Sequence, residues 1–179
     1  DGALDLAFDP RSGANGPIYA LALEGGGKLL IGGTFNTVDL RARQNLARLN
    51  ADGTLDTTFD NGSGVDGAVY VINEIGDGRI YIGGAFLNVN GTRRVGVARL
   101  YNNGHVDTGF LDPAYNHFAG LFTHYSTEVD FPAESRNFLL TLAVQTDGNV
   151  IIGGSFQQVG GGRMHWAIQT NDWYWADRA

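Results

Sequence analysis

One short sequence motif occurs three times in this chain. It is an apolar run that ends in two glycines, followed after one residue by phenylalanine. The three copies are KLLIGGTF (28–35), RIYIGGAF (79–86) and NVIIGGSF (149–156). A second signature, Leu/Val-Asp-x-x-Phe, recurs at 4–8, 55–59 and 106–110 in steps of 51 residues. Self-similarity at a fixed period is typical of repeat proteins, in which each unit stacks on its neighbours. The sequence therefore predicts a repeat array.

Within a unit the sequence predicts short antiparallel strands. An Asp-Gly or Gly-rich turn separates an apolar run from the diglycine strand, as in a hairpin. A third strand follows at NLARLN (45–50) and GVARLY (96–101), and a turn then leads into the Leu-Asp-x-x-Phe strand. Each unit is thus expected to contain four strands.

The first strand of the first complete unit, IYALAL (18–23), is apolar at every position. A strand with one solvent-exposed face should alternate apolar with polar residues. This continuous apolar run therefore predicts burial on both faces. The double glycine that ends the second strand suits a close backbone approach or a bulge.

Four strands at a period near 50, with Gly-Gly closing the second, is the plan of a β-propeller blade, and the kelch repeat shares it. The fuller pattern is GG-[TAS]-F, a following valine (Val38, Val89, Val159), then Ala-Arg-Leu and Leu/Val-Asp-x-x-Phe. It closely resembles the bacterial delta-sixty repeats, fully over residues 1–110 and partly over 138–160. That resemblance implies propeller blades in secreted or surface proteins of bacteria, and no defined chemistry.

The expected fold class is all-β: about three four-stranded antiparallel blades that form a partial or oligomer-completed propeller. The predicted parts are an orphan outer strand (1–8), blade 1 (9–59), blade 2 (60–110), an insertion (111–137) and a degenerate blade 3 (138–179).

Composition limits the function classes. The formal charge of -7 and the scattered 12 Lys and Arg argue against nucleic acid as a partner. Cysteine is absent, which excludes disulfides and thiolate sites, and no apolar run is long enough to insert into a membrane. The first residues lack the plan of a signal peptide. An Asn-, Gly- and Thr-rich, Lys-poor composition favours an extracellular or cell-surface location.

Candidate site residues belong to the loops after the second strand, the connections between units and the insertion, which we expect at one end of the array. The arginines Arg41, Arg43, Arg93, Arg94 and Arg163 belong to this end, whereas Asp52, Asp77 and Asp147 belong to the other. Loops on a rigid scaffold commonly carry function. The ligand-binding candidates are His117, His124, Tyr125, Arg93, Arg94, Trp166, Trp173 and Trp175.

Two metal hypotheses stay open beside the expectation that the chain needs no cofactor. His117, His124, Glu128 and Asp130 in the insertion are imidazole and carboxylate groups of the kind that bind zinc or manganese, but their spacing fits no strong motif. Asp52 and Asp56 superficially resemble part of a calcium loop. The alternative is that each repeated Asp bonds neighbouring amides and pairs with Arg48 or Arg99.

The aromatic group Trp166, Trp173, Tyr174 and Trp175 allows sugar stacking, but the preferred interpretation is a cap on an exposed blade edge or a contact with another chain. The main hypothesis is a non-catalytic binding or structural module of an extracellular, cell-surface or virion-associated protein, with protein or glycan partners. The rival is a hydrolase or lyase, metal-assisted or not, with its site at the insertion end.

The last expectation concerns assembly. Propellers close with about four to eight blades, so three leave a blade face and strand edges open. We therefore expect either self-association or the remainder of a larger propeller to cover them. Leu4, Phe8 and residues 173–175 are predicted to lie at blade or chain boundaries.

Overall fold

The computed structural model describes residues 3, 5–111 and 138–156, and the backbone of residues 121–122, 158–159 and 174–176. The described chain is built from short strands and one 3-10 turn at Gly25–Gly27. The strands are β1 (Ile18–Leu23), β2 (Leu29–Gly33), β3 (Thr37–Val38), β4 (Arg41–Ala42), β5 (Leu46–Leu49), β6 (Ala68–Glu74), β7 (Arg79–Ala85), β8 (Asn88–Val89), β9 (Thr92–Arg93), β10 (Val97–Tyr101), β11 (Leu121–Phe122), β12 (Phe138–Val144), β13 (Val150–Ser155), β14 (Gln158–Val159) and β15 (Tyr174–Ala176).

Three antiparallel sheets correspond to the three repeat units. Unit 1 has the strand order β1-β2-β5, unit 2 the order β6-β7-β10, and unit 3 the order β12-β13-β15. In each sheet the diglycine strand is central, as its apolar sequence requires. The all-β repeat fold expected from the sequence is confirmed.

The predicted fourth strand is nearly absent. In the described residues of units 1 and 2 it is reduced to one bridge each, Leu49 with Leu55 and Leu100 with Val106. The following aspartate ends the pairing because its side chain accepts from the amide two residues ahead, as Asp56 does from Thr58 at 2.9 Å. The same turn replaces the predicted orphan strand at residues 5–8, where Asp5 accepts from Ala7 N, and Leu4 lies outside the described residues.

The loop after each diglycine strand forms a small hairpin, β3–β4 in unit 1 and β8–β9 in unit 2. The connection that enters each unit is tied to this hairpin by one side chain. Asn15 accepts from Asn36 N and Thr37 N, and Asp66 accepts from Leu87 N and Asn88 N. Both kinds of loop therefore lie at one end of the array, as expected, and we call it the loop end.

The two glycines of each diglycine pair have different roles. A Cβ on the second, Gly33 or Gly84, would clash with a carbonyl where the unit's own first strand begins, that of Pro17 or Ala68. The first strand bulges at that level, between Ile18 and Ala20 in unit 1. A Cβ on the first glycine would clash with the next unit: at Gly32 it would lie 2.6 Å from Val69 Cγ1. The first glycine is therefore a hole for a side chain of the following unit.

Apolar residues fill the spaces between consecutive sheets. Between units 1 and 2 the buried cluster includes Leu30, Leu46, Val69, Ile72 and Ile82. Between units 2 and 3 it includes Tyr81, Val97, Leu139, Leu142 and Ile152. Sheets stacked face to face, each buried by the next, are the arrangement of propeller blades.

Burial on both faces was predicted for the first strand, and for β1 this prediction is wrong. Tyr19, Leu21 and Leu23 are 52%, 62% and 75% exposed, while Ala20 is buried. The reason is position, because β6 packs between β1 and β12 whereas β1 has a described neighbouring sheet on one side alone.

In unit 3 the third strand is formed by a segment that the repeat motif did not predict, β15. The sequence lacks Ala-Arg-Leu there, yet β15 pairs with β13, placing Trp175 opposite Ile151. Since β15 is the edge strand of its sheet, residues 174–176 lie at a blade boundary. In the insertion, β11 pairs with β14 in the loop after β13, which brings Leu121 and Phe122 to the loop end of unit 3.

Candidate functional site

The loop end was the predicted site, and of its ligand candidates Arg93 and Arg94 have described side chains. Arg94 is 1% exposed and donates from Nη1 to Arg93 O at 2.8 Å and from Nη2 to Thr108 O at 3.3 Å. Its equivalent Arg43 donates to Ala42 O in the same way. The burial of Arg94 gives it a role within the fold, whereas Arg93 on β9 is half-buried.

The other predicted site residues lie outside the described residues. They are His117, His124, Tyr125, Glu128, Asp130, Trp166 and Trp173, and the side chain of Trp175. The metal hypothesis for the insertion therefore stays a prediction. Among the described residues no three His, Asp or Glu side chains converge as a metal site would require.

A shallow depression of about 290 Å³ does lie at the loop end of unit 1, lined by Asn15, Thr34, Phe35, Asn36, Gln44 and Asn45. Its amides are engaged in the fold. Asn45, buried, accepts from Phe35 N and donates to Val65 O, and Asn15 holds the hairpin. In unit 2 Thr34, Asn36 and Gln44 correspond to Ala85, Leu87 and Val95. Only the role of Asn15 recurs, in Asp66, so the polar lining as a whole is not a feature of the repeat.

The repeated arginines and aspartates form buried pairs, as the structural alternative predicted. Arg48 Nε donates to Asp56 Oδ2 at 2.8 Å, and Arg99 Nε to Asp107 Oδ2 at 2.8 Å. Each guanidinium also covers the phenylalanine of its signature, Phe59 at 4.9 Å and Phe110 at 4.7 Å. Arg48 Nη1 reaches further, to Asn102 O of unit 2 at 2.7 Å, which ties two units together.

These contacts shift the acid strength of both carboxyl groups. Burial alone would raise the pKa of Asp56, but hydrogen bonds from Lys28, Thr58 and Arg48 outweigh it and hold the pKa well below the usual range. At Asp107, hydrogen bonds from Arg99 and Tyr101 likewise outweigh burial and lower the pKa. Because the Asp56 carboxylate is already neutralised by two cations, the contacts speak against its use as a calcium ligand.

Two segments, Asn61-Gly62-Ser63 and Asn90-Gly91-Thr92, match the acceptor pattern of N-glycosylation, and both asparagines have structural roles. Asn61 is 3% exposed and donates to Leu46 O at 2.9 Å. Asn90 has a positive φ of 48° in the hairpin turn and accepts from Ser63 N. Turn chemistry thus accounts for Asn90, and a hydrogen bond to β5 accounts for Asn61.

The exposed side of β1 is the most prominent surface feature in the described chain. The sequence predicted an open blade face but did not place it on β1, which was expected to be buried on both faces. We call Ile18, Leu21 and Leu23 the open face. They are 44%, 62% and 75% exposed, whereas the ring of Tyr19, at the bulge, lies 5.5 Å from the ring of Tyr70 in unit 2. Contiguous exposed apolar residues of this kind mark interaction sites in soluble proteins. The signal in the sequence was the repeat itself, since the equivalents of Ile18 and Leu21 are Val69 and Ile72, which a neighbouring unit buries.

The comparisons with known proteins agree with this architecture. Residues 27–59 and 76–110 match a family model described as a domain of unknown function (DUF5122) of β-propeller type. No curated protein matches the chain. The matched segments each run from just before the diglycine strand to the Phe of the Asp-x-x-Phe signature. With the stacked antiparallel sheets, they show that the chain consists of β-propeller repeats.

None of the helical segments in the described part of the chain has the length and apolar character of a membrane span.

Proposed function

We propose that this propeller segment is a non-catalytic binding or structural module that acts through contacts of its surface with other proteins. The observation that carries the proposal is the open face, which exposes three large apolar side chains of one strand to water. A surface of this kind is stabilised when a partner covers it, since each buried apolar side chain contributes roughly 1.5–3 kcal/mol.

The charges inside the array support a non-catalytic role. Catalysis needs a nucleophile, acid or base that is free to reach a substrate. The aspartates with a lowered pKa, Asp56 and Asp107, are each bonded to an arginine and to a backbone amide. Their low pKa is thus explained by the fold and indicates no reactive group.

At a finer level, we propose delta-sixty-type repeats of a bacterial extracellular or cell-surface protein, including one associated with a virion, with a kelch-like blade plan. The support is the three-copy motif and the cysteine-free, Lys-poor composition. Glycan contact is a further proposal that depends on the aromatic residues at 166, 173 and 175.

A combined binding and turnover experiment tests the proposal against the hydrolase or lyase alternative. The purified chain is applied to a glycan array and incubated with the same polysaccharides, and the metal content is measured before and after chelation. We expect no product release. If a glycan is retained, we expect Trp173→Ala or Trp175→Ala to abolish its retention. Product release that disappears in His117→Ala or His124→Ala, with loss of bound metal, would establish the enzyme instead.

A further inference from the structure

The three units of this chain show twice how one unit covers the next, and this repetition identifies what fits the open face. Three positions are equivalent in the first strands: Ile18, Val69 and Leu139. Val69 and Leu139 are each 0% exposed, whereas Ile18 is 44% exposed. The same holds for Leu21 at 62%, Ile72 at 8% and Leu142 at 6%.

In each buried case the cover is the first glycine of the preceding unit. A Cβ on Gly32 would lie 2.6 Å from Val69 Cγ1 and 3.0 Å from Ile72 Cδ1. A Cβ on Gly83 would clash with Leu139. The branched side chain of one unit is therefore a knob, and the glycine of the unit before it is the hole.

The far side of unit 3 is the complementary surface. Its first glycine is Gly153, which pairs with Thr141 of β12. Gly32 and Gly83 are fully buried, but Gly153 is partly exposed, and Thr141 and Ala143 beside it are exposed. The chain thus presents knobs without a hole at β1 and a hole that is incompletely covered at β13.

We propose that two copies of this chain associate head to tail, with Ile18 and Leu21 of one copy packed over Gly153 of the other. The proposal rests on the proposed function and specifies its partner. In this arrangement β1 would pack on the partner's β12 and β13 as β6 packs on β1 and β2. Two such contacts close a ring of six units, within the range of about four to eight blades that propellers use.

Other residues on this side of unit 1 are covered by the chain itself, which explains why the knobs are the exposed part. Ile31 and Val38 are buried by Phe8, Ala14 and Leu55 of the same chain. Phe8 and Ala14 are the equivalents of Phe59 and Val65, which cover unit 2 in the same manner. The unit of the second copy that covers the open face therefore has to supply only its diglycine strand and the strand beside it.

Engineered cysteines test the contact directly, because the chain contains none of its own. The variants Ile18→Cys and Gly153→Cys are mixed and oxidised. By analogy with Val69 Cβ, 3.0 Å from an ideal Cβ on Gly32, the two Cβ atoms would lie somewhat closer than the roughly 3.5–4.5 Å of a disulfide. A small shift at the contact between the two copies therefore brings the two sulfur atoms into bonding distance. We expect a disulfide-linked dimer that contains one chain of each variant. Leu40→Cys, at a position 82% exposed in the β3–β4 turn, replaces Ile18→Cys in the control and should not link.

Dimerisation is also measured by sedimentation for Leu21→Asp and for the matched control Leu40→Asp. Leu21 is exposed in the free chain, so its change should spare folding while raising the dimer dissociation constant about 100-fold or more. The control should leave that constant unchanged. Absence of the mixed disulfide above the Leu40→Cys control, or equal linking of Ile18→Cys with itself, would overturn the head-to-tail contact. Turnover on polysaccharide would leave this result untouched, so the two proposals fail separately.

Discussion

Strands β1 and β6 occupy the same place in consecutive repeats and differ in their surroundings. Leu21 on β1 is 62% exposed, while Ile72 at the equivalent position of β6 is 8% exposed. Both strands begin with apolar residues and carry the same bulge, at Tyr19 and at Tyr70. The difference lies in the neighbours, since β6 is packed between two other units. In a repeat array, burial is thus a property of the interface between units and cannot be assigned to a strand alone.

The largest expected difference between the two strands follows from placing a charge at the equivalent positions. Ile72→Asp puts a carboxylate in the apolar space between units 1 and 2, and should lower the free energy of unfolding by about 4 kcal/mol or more. Leu21→Asp should change it by less than about 0.5 kcal/mol in dilute solution. Urea unfolding of both variants at low chain concentration makes the measurement. Equal losses would mean that β1 is covered in the free chain.

The two glycines Gly32 and Gly153 offer a smaller contrast of the same kind. Gly32→Val overfills a hole already occupied by Val69 and Ile72, and should cost about 1–3 kcal/mol of unfolding free energy. Gly153→Val meets less of the chain, because Gly153 is partly exposed, and should cost less. Thermal unfolding of the two variants ranks them, and the reverse order would contradict the knob-and-hole account.

The repeat, the three sheets and the loop end could be predicted because they follow from the local amino-acid sequence. Turn glycines, apolar runs and a fixed period specify hairpins without knowledge of the neighbours. A structural role for Arg48 and Arg99, either beside the repeated aspartates or packed between blades, was also predicted. The structure pairs Arg48 with Asp56 and Arg99 with Asp107.

The position of the open face and the missing fourth strand could not be predicted from the sequence, for two different reasons. The exposure of Leu21 depends on which sheet lies next to β1, and a strand's own residues do not encode this. The fourth strand fails because Asp56 and Asp107 capture the amides of Thr58 and Gly109 with their side chains, a local competition that outweighs an apolar, strand-like pattern. The partner strand of unit 3 was missed because 174–176 share no text with Ala-Arg-Leu.

The smallest predicted effect compares the two ion pairs in acid. Each aspartate has a lowered pKa in the folded chain, so its contribution is fully present above the ordinary value near 3.8 and is lost as the pH falls toward the folded pKa. Unfolding free energy should therefore decrease from about pH 4 to pH 2. Asp56→Asn should flatten this decrease more than Asp107→Asn, because Asp56 is bonded to both Lys28 and Arg48. Denaturant titrations across this pH range provide the test, and an unchanged slope in Asp56→Asn would contradict it.

The central claim is that the free chain carries an uncovered blade face that a second chain covers. Light scattering combined with binding of a hydrophobic dye, followed over a series of chain concentrations, tests it most directly. The account predicts that the mass rises from 19.2 kDa toward twice that value while dye fluorescence per chain falls, because Leu21 and its neighbours become buried. A monomer at every concentration that unfolds cooperatively and binds no dye would contradict the claim.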